Sequence, residues 1–276
     1  MWPYLKLFRI YNILIAIVAV LIASYIVDGQ NIILLIYAIM AVTLSMVFGN
    51  VLNDLLDIGI DQISHPNRPL ALDQISRSTT KKILFCIVGL ILILSIFLSD
   101  IARFYLLIIV LPLLTSYNYF FKKLPIIGNV IISFLLASVF IFTEILFFQK
   151  INVVLIPSLL VFSFSFLREL LKDIHDYDGD KQYNMMTFPI IMGRVKSIQV
   201  VRVLIASFGL LLLLPYYLHY YNIYYLISVI ILIEIPLIIL LSLLLRNPDK
   251  LTLKQATVLM KVINVLGLVV ILIANN

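Results

Sequence analysis

The chain has 276 residues, of which 63% are hydrophobic and 12% are charged, and its net charge is +6. Soluble globular domains carry about 25% charged residues, so this composition excludes a soluble globular fold. Apolar runs of about 20 residues, the length that crosses a bilayer, recur along the sequence. Because these runs are continuous rather than alternating, they predict membrane-spanning helices rather than strands.

Nine transmembrane helices are predicted in chain order, and together they form an all-α membrane protein. They cover residues 10–27, 32–52, 83–99, 102–118, 126–148, 152–171, 197–218, 222–245 and 255–273. Pro236 predicts a local kink in the eighth. Most connections are short, but polar loops are predicted at about 53–82 and 172–196. We interpret residues 1–276 as a single transmembrane domain.

The positions of Lys and Arg predict that the N-terminus is cytoplasmic. Cytoplasmic loops are enriched in these residues, and with this orientation the outer helix ends hold only Arg103 and Lys150. Both polar loops then lie on the cytoplasmic side, because each follows an even-numbered span. The net positive charge indicates contact with membrane lipids and is not a nucleic-acid signal. We expect an integral protein of the cell (plasma) membrane.

Two acidic motifs of equal spacing lie in these loops. The first comprises Asp54, Asp57 and Asp61, and the second comprises Asp173, Asp176 and Asp180. Steps of three and four residues place carboxylates on one helical face, where they repel each other unless a cation neutralises them. Oxygen ligands suit Mg²⁺, which typically binds one or two carboxylates together with substrate phosphates. The six aspartates are therefore the candidate catalytic and metal-binding residues, and basic residues near them could bind phosphate oxygens: Arg68, Arg168, Lys172 and Lys181.

Other interpretations of these residues stay open. One acidic motif alone also fits a solvated loop, and only the repeated spacing favours a cation site. Tyr117, Asn118 and Lys122 could line a substrate pocket, yet they equally fit anchors at the membrane interface. Glu144 and Glu234 lie within spans, where we expect buried hydrogen bonding. His175 is expected to point away from the aspartate face and to have no role.

The motifs resemble the two signatures of the UbiA superfamily of intramembrane prenyltransferases. "NDLLDIGIDQISHPNRPL" is similar to the first signature, Asn-Asp-x-x-Asp-x-x-x-Asp followed by Asn-Arg-Pro, and "KDIHDYDGDK" is similar to the second. The resemblance implies a helical bundle that binds a polyprenyl diphosphate through Mg²⁺ on both motifs and transfers the prenyl group to an acceptor. It also implies that Asn53 belongs to the first motif, that Asn50 faces the pocket, and that Arg68 and Lys172 bind phosphate.

Within the superfamily, "RELLKDIHDYDGDK" most resembles digeranylgeranylglyceryl phosphate synthases. This resemblance implies transfer of geranylgeranyl from its diphosphate to geranylgeranylglyceryl phosphate, which forms an ether lipid precursor by way of an allylic carbocation. The sequence departs from that pattern at Ala71-Leu72-Asp73, where Pro-Ser-Gly is usual, at His175, where Glu is usual, and at Met186, where a basic residue is common. These departures leave the aspartates intact but weaken the choice of acceptor. Candidate ligands for an acceptor phosphate are Lys122, Lys123, Arg168 and Lys181.

Two further functions are considered from the sequence. An aromatic acceptor such as 4-hydroxybenzoate, a quinone precursor, would keep the same metal chemistry. A divalent-cation transporter is a less favoured alternative, because it would place acidic residues near the middle of the membrane rather than at helix ends.

Overall fold

The computed structural model describes residues 2–183, 185–245 and 248–275, and every regular element in these ranges is a helix, as predicted. The α-helices are α1 (Trp2–Phe8), α2 (Ile10–Ile26), α3 (Ile32–Leu56), α4 (Ile58–Ser64), α5 (Arg77–Ile96), α6 (Asp100–Phe104), α7 (Leu111–Tyr119), α8 (Ile127–Phe148), α9 (Leu155–Gln182), α10 (Phe188–Met192), α11 (Arg194–Tyr217), α12 (Ile223–Val229), α13 (Ile235–Leu244) and α14 (Lys250–Ala274). Two π-helical turns, Tyr105–Val110 and Ile230–Glu234, connect α6 to α7 and α12 to α13.

Seven helices in the described residues are long and apolar enough to cross a membrane. They are Ile32–Leu56, Arg77–Ile96, Asp100–Tyr119, Ile127–Phe148, Arg194–Tyr217, Ile223–Leu244 and Lys250–Ala274. The number rises to eight if α1 and α2, which meet at an angle of 51°, count as one span. α9, which overlaps the predicted sixth span, is not in this set because charged side chains enter it from Arg168 onward.

The two polar stretches are more helical than the predicted loops at 53–82 and 172–196. α3 continues to Leu56, and α4 follows after one non-helical residue. α9 continues to Gln182, eleven residues beyond the predicted end of the sixth span at residue 171 (182 − 171 = 11). The reason is that helical hydrogen bonds form within the segment itself, so a change from apolar to polar side chains does not end a helix.

The first of two compact units comprises Met1–Lys122 and Ser138–Val154. α3 is its central helix, since it contacts α1, α2, α4, α5 and α7. The core contains buried apolar side chains, among them Leu7, Val20, Ala38, Val51 and Ile91. Gly49 permits a close approach between α3 and α7, because a Cβ at this position would lie 2.9 Å from Cδ1 of Leu114. This packing fixes α3, whose last turn carries Asp54, the first aspartate of the first acidic motif.

The second unit comprises Lys123–Ala137 and Leu155–Asn276. Within it, α9 packs against α10, α11 and α14. The core contains, among others, Leu171, Ile174, Val201, Tyr225 and Met260. In each unit, therefore, the helix that carries an acidic motif is packed against several others.

The two intramembrane glutamates have different environments. Glu144 accepts hydrogen bonds from the backbone N–H groups of Asn152 and Val153, at 2.9 and 3.0 Å. The expected buried hydrogen bonding is confirmed for this residue, and it fixes the turn after α8. Glu234 packs against Gly209, but its buried Oε1 has no hydrogen-bond partner among the described residues. The expectation of hydrogen bonding is therefore wrong for that oxygen.

Candidate active site

The first acidic motif spans the junction of two helices. Asp54 lies in the last turn of α3, Asp57 is the non-helical residue at the junction, with φ −101° and ψ 13°, and Asp61 lies in the first turn of α4. The prediction of one continuous helical face is therefore wrong for this motif. Ile58 and Gly59 follow the break, and β-branched residues and glycine have low helix propensity.

Asp54 and Asp61 converge on one cation, the guanidinium group of Arg68. Its Nη1 lies 3.2 Å from Oδ1 of Asp54 and 2.7 and 2.6 Å from the two oxygens of Asp61. Both carboxyl groups are buried, with exposures of 1% and 3%. Burial raises the pKa of Asp61 to about 6, against the lowering effect of Arg68. Buried carboxylates need a cationic partner, and this oxygen donor set fits Mg²⁺.

Asp57 has two polar partners. Lys122 Nζ donates to Oδ1 of Asp57 at 2.5 Å, and Asn53 Nδ2 donates to Oδ2 at 2.8 Å. All three residues were predicted from the sequence, and the structure brings Lys122 to Asp57 across 65 residues of chain.

Arg9 belongs to this cluster and was not predicted as a site residue. It lies between α1 and α2, and its Nη2 donates to Asp54 Oδ1 at 2.6 Å and to Asn53 Oδ1 at 3.1 Å. Asn50 Nδ2 donates to the carbonyl oxygen of Phe8, at 3.1 Å, and so ties the same junction to α3. In the sequence Arg9 is an arginine next to an apolar run. Such a residue was interpreted only as an indication that the N-terminus is cytoplasmic.

Tyr117 and Asn118 lie near the end of α7. Tyr117 is half-buried and Asn118 is buried. Asn118 Nδ2 donates to the carbonyl oxygen of Leu114, and its Oδ1 is buried with no hydrogen-bond partner among the residues described. Their role in substrate binding stays a prediction.

The second acidic motif lies on one continuous helix, α9, as its spacing predicts. Asn129 Nδ2 donates to Asp173 Oδ2 at 2.8 Å, and Thr187 Oγ1 donates to Asp180 Oδ2 at 3.1 Å. Burial raises the pKa of Asp173 to about 7, although the hydrogen bond from Asn129 lowers it. Asn129 was not predicted as a site residue, because its distance to Asp173 depends on how α8 and α9 pack.

The expectation that His175 points away from the aspartates is wrong. Its Nδ1 lies 2.8 Å from Oδ1 of Asp176. Consecutive positions on a helix point in different directions, but the imidazole is long enough to reach the neighbouring carboxylate. The histidine that replaces the usual Glu therefore contacts a candidate metal ligand.

Glu169 holds two of the predicted phosphate-binding residues. Its Oε1 lies 2.8 Å from Nη1 of Arg168, and its Oε2 lies 3.3 Å from Nζ of Lys172. Glu169 is buried, whereas Lys181, in the last turn of α9, is exposed. Arg168 and Lys172 are thus placed together by one carboxylate.

Within the part of the chain that the structure describes, no three acidic, histidine or cysteine side chains surround a common metal position. In the first motif, basic side chains contact the carboxylates instead, and these are Arg9, Arg68 and Lys122. The aspartates of the first motif are therefore paired with basic side chains, and Mg²⁺ coordination by either motif stays a prediction.

Comparisons with known proteins agree with these features. A model of the UbiA prenyltransferase family matches residues 12–265. A digeranylgeranylglyceryl phosphate synthase from Methanococcus maripaludis is 34% identical over 277 residues, which cover 99% of this chain and 97% of that protein. One from Methanocaldococcus jannaschii is 33% identical, covering 94% of this chain and 91% of that protein.

Solved structures share the fold. One, from a study of digeranylgeranylglyceryl phosphate synthase in membranes, is 32% identical and has a TM-score of 0.76, covering 99% of this chain and 97% of the other. A UbiA homologue from Archaeoglobus fulgidus bound to GPP and Mg²⁺ has a TM-score of 0.64 at 15% identity, covering 98% and 99% of the two chains. The family match and the full-length relatives establish that the chain belongs to the UbiA prenyltransferase family and is an integral membrane enzyme.

Proposed function

We propose that this enzyme transfers a geranylgeranyl group from geranylgeranyl diphosphate to geranylgeranylglyceryl phosphate. The observation that carries the choice of acceptor is the identity of about one third, over nearly the whole chain, to proteins named digeranylgeranylglyceryl phosphate synthase. The product is an ether lipid precursor, and residues 1–276 act as one prenyltransferase domain.

The first motif supplies the residues for binding the diphosphate. Asp54, Asp57 and Asp61 would hold Mg²⁺, as would Asp173, Asp176 and Asp180 of the second motif. When bound, Mg²⁺ supplies positive charge that stabilises the diphosphate as the allylic C–O bond breaks. Arg68 and Lys122, which contact carboxylates in the structure, are then available to phosphate oxygens.

The acceptor completes the reaction. Its hydroxyl oxygen forms the new C–O bond with the allylic carbon as the bond to the diphosphate breaks, and the hydroxyl proton passes to the departing diphosphate. The apolar surroundings of the bundle exclude water, which would otherwise trap the carbocation. We assign Lys172 to the donor and Arg168 and Lys181 to the acceptor phosphate; the shared contact with Glu169 keeps Arg168 and Lys172 adjacent.

We also propose nine membrane spans, with the N-terminus in the cytoplasm and the polar stretches at the cytoplasmic surface of the plasma membrane. α9 has 28 residues and is therefore about 42 Å long, which exceeds the roughly 30 Å of a bilayer hydrocarbon core. The part of α9 within the predicted sixth span, residues 155–171, has 17 residues, which is the lower limit for crossing a bilayer, and the polar remainder of the helix extends into water.

A product assay tests the proposed reaction. Purified enzyme is incubated with geranylgeranyl diphosphate, Mg²⁺ and either geranylgeranylglyceryl phosphate or 4-hydroxybenzoate, and products are identified by mass spectrometry. We expect the digeranylgeranyl ether of glyceryl phosphate, and no product when EDTA replaces Mg²⁺. Prenylated 4-hydroxybenzoate without the ether product would contradict the choice of acceptor.

A further inference from the structure

The junction between α1 and α2 places Arg9 in contact with the first acidic motif. Arg9 has left-handed backbone angles, φ 55° and ψ 57°, a conformation that is strained for residues other than glycine and persists where the surroundings fix it. Here the fixing contacts are those of Asn50 with the Phe8 carbonyl and of Arg9 with Asp54. Both contacts come from α3, so one helix holds the backbone of the junction and the guanidinium group.

The charges of the first motif balance in this structure. Three carboxylates, those of Asp54, Asp57 and Asp61, are matched by three basic side chains, those of Arg9, Arg68 and Lys122, so the sum is −3 + 3 = 0. Mg²⁺ that binds these carboxylates therefore competes with basic side chains that already neutralise them.

We propose that Arg9 is the resting counter-ion of Asp54, that Mg²⁺ displaces it, and that the released guanidinium binds phosphate oxygens of a substrate. The proposal rests on the function proposed above. It assigns a role in substrate binding to Arg9, an N-terminal residue that lies outside both acidic motifs.

The contacts explain why Arg9 leaves Asp54 more readily than Arg68 does. Arg68 bridges two carboxylates, whereas Arg9 contacts Asp54 alone among the three aspartates, at 2.6 Å, and its other partner is the neutral amide of Asn53. The Arg9 side chain is 29% exposed, whereas that of Asp54 is 2% exposed. Since a buried carboxylate requires a cation, entry of Mg²⁺ and release of Arg9 are two halves of one exchange.

The exchange predicts that Mg²⁺ and phosphate bind cooperatively. Mg²⁺ alone leaves the released guanidinium without an anionic partner, so we expect it to bind weakly. A phosphate group accepts that guanidinium and thereby strengthens Mg²⁺ binding, and by linkage Mg²⁺ strengthens phosphate binding equally.

The variant Arg9→Asn tests this proposal, because asparagine tolerates left-handed backbone angles better than most residues. The matched control is Lys6→Gln, which removes an exposed charge one turn earlier, near the Trp2 ring. Mg²⁺ binding to the full-length protein in detergent is measured by calorimetry, alone and with inorganic pyrophosphate or glycerol 3-phosphate. These two probes stand for the phosphate groups of the donor and of the acceptor.

For the wild type and Lys6→Gln, we expect weak Mg²⁺ binding that at least one phosphate probe strengthens about tenfold. For Arg9→Asn, we expect Mg²⁺ alone to bind about tenfold more tightly and the strengthening by that probe to fall to about twofold. A merely structural role for Arg9 would not raise the affinity for Mg²⁺. Unchanged or weaker Mg²⁺ binding in Arg9→Asn, or no effect of either probe on the wild type, would overturn the proposal.

A second variant covers the case in which Arg9→Asn does not fold. Arg9→Lys keeps the charge, so we expect weak Mg²⁺ binding that a phosphate probe strengthens, as in the wild type. Tight Mg²⁺ binding to Arg9→Lys that neither probe strengthens would overturn the proposal. The product assay is separate from these titrations. A wild type that makes no ether product but shows the exchange would refute the acceptor assignment and leave the role of Arg9 intact.

Discussion

Individual carboxylates in this enzyme differ in how they are neutralised. Asp54, Asp57 and Asp61 each contact a basic side chain, whereas Asp173 and Asp180 accept hydrogen bonds from neutral Asn129 and Thr187. Burial raises the pKa of Asp61 to about 6 and that of Asp173 to about 7, and the hydrogen bonds from Arg68 and Asn129 respectively act against that rise.

At the same scale, the proposed metal ligands can be tested one by one. Asp57→Asn and Asp176→Asn remove a charged ligand but keep the side-chain volume, so we expect each to lower kcat/KM by about 100-fold or more, equivalent to about 2.7 kcal/mol or more of transition-state stabilisation. The measurement is steady-state kinetics, with thermal unfolding as a check on folding.

Two neighbouring aspartates provide the controls. Asp73 and Asp178 are exposed and lie close in sequence to the two motifs but outside their spacing. Asp73→Asn and Asp178→Asn should therefore keep activity within about twofold of the wild type, as is usual for exposed substitutions. Activity close to that of the wild type in both Asp57→Asn and Asp176→Asn would refute the metal-site assignment.

The residue scale also shows what the sequence could not predict. The spacing of the motifs selected six aspartates as candidate metal ligands, because spacing along a chain is visible without a fold, and their role stays a prediction. The contact of Arg9 with Asp54 joins residues 45 positions apart, and that of Asn129 with Asp173 joins residues 44 apart. Such contacts follow from how α1, α3, α8 and α9 pack, and side-chain patterns do not report this packing.

Among the helices, apolar length predicted positions well, and polar sequence predicted ends poorly. The predicted spans at 32–52 and 126–148 correspond to α3 and α8, with matching starts to within a residue. The end of α9 and the break at Asp57 were missed, because backbone hydrogen bonding and local propensity decide them. Near Pro236 the predicted irregularity takes the form of the π-helical turn Ile230–Glu234, which precedes a residue that lacks an N–H donor.

The contact between α3 and α7 gives a test at the scale of helices. Gly49→Ala introduces a Cβ at 2.9 Å from Leu114, so we expect it to destabilise the protein by about 1–3 kcal/mol, as other overpacked cores are destabilised. Gly89→Ala is the matched control, since a Cβ there meets no atom within 4 Å. Thermal unfolding in detergent should show a lower Tm than the wild type for Gly49→Ala and no decrease in Tm for Gly89→Ala. Equal Tm values for the two variants would contradict the close packing inferred at Gly49.

For the whole molecule, the number of spans determines where the two ends of the chain lie. Nine spans place the N-terminus and the C-terminus on opposite sides of the membrane, whereas eight place them on the same side. We expect an N-terminal reporter to be cytoplasmic and a C-terminal reporter to be outside. Protease protection of each reporter in oriented membrane vesicles measures this, and both reporters on one side would show that α9 does not cross.

The ion pairs of the first motif also bear on product release. An enzyme that grips its departing diphosphate too strongly would be limited by the exit of that product. Departure of the diphosphate together with its Mg²⁺ would leave the carboxylates of the first motif to repel one another. Three basic side chains lie within reach of them: Arg9, Arg68 and Lys122. Their return to Asp54, Asp61 and Asp57 would offset the lost contacts, so that each round of synthesis ends with the enzyme restored to its starting state.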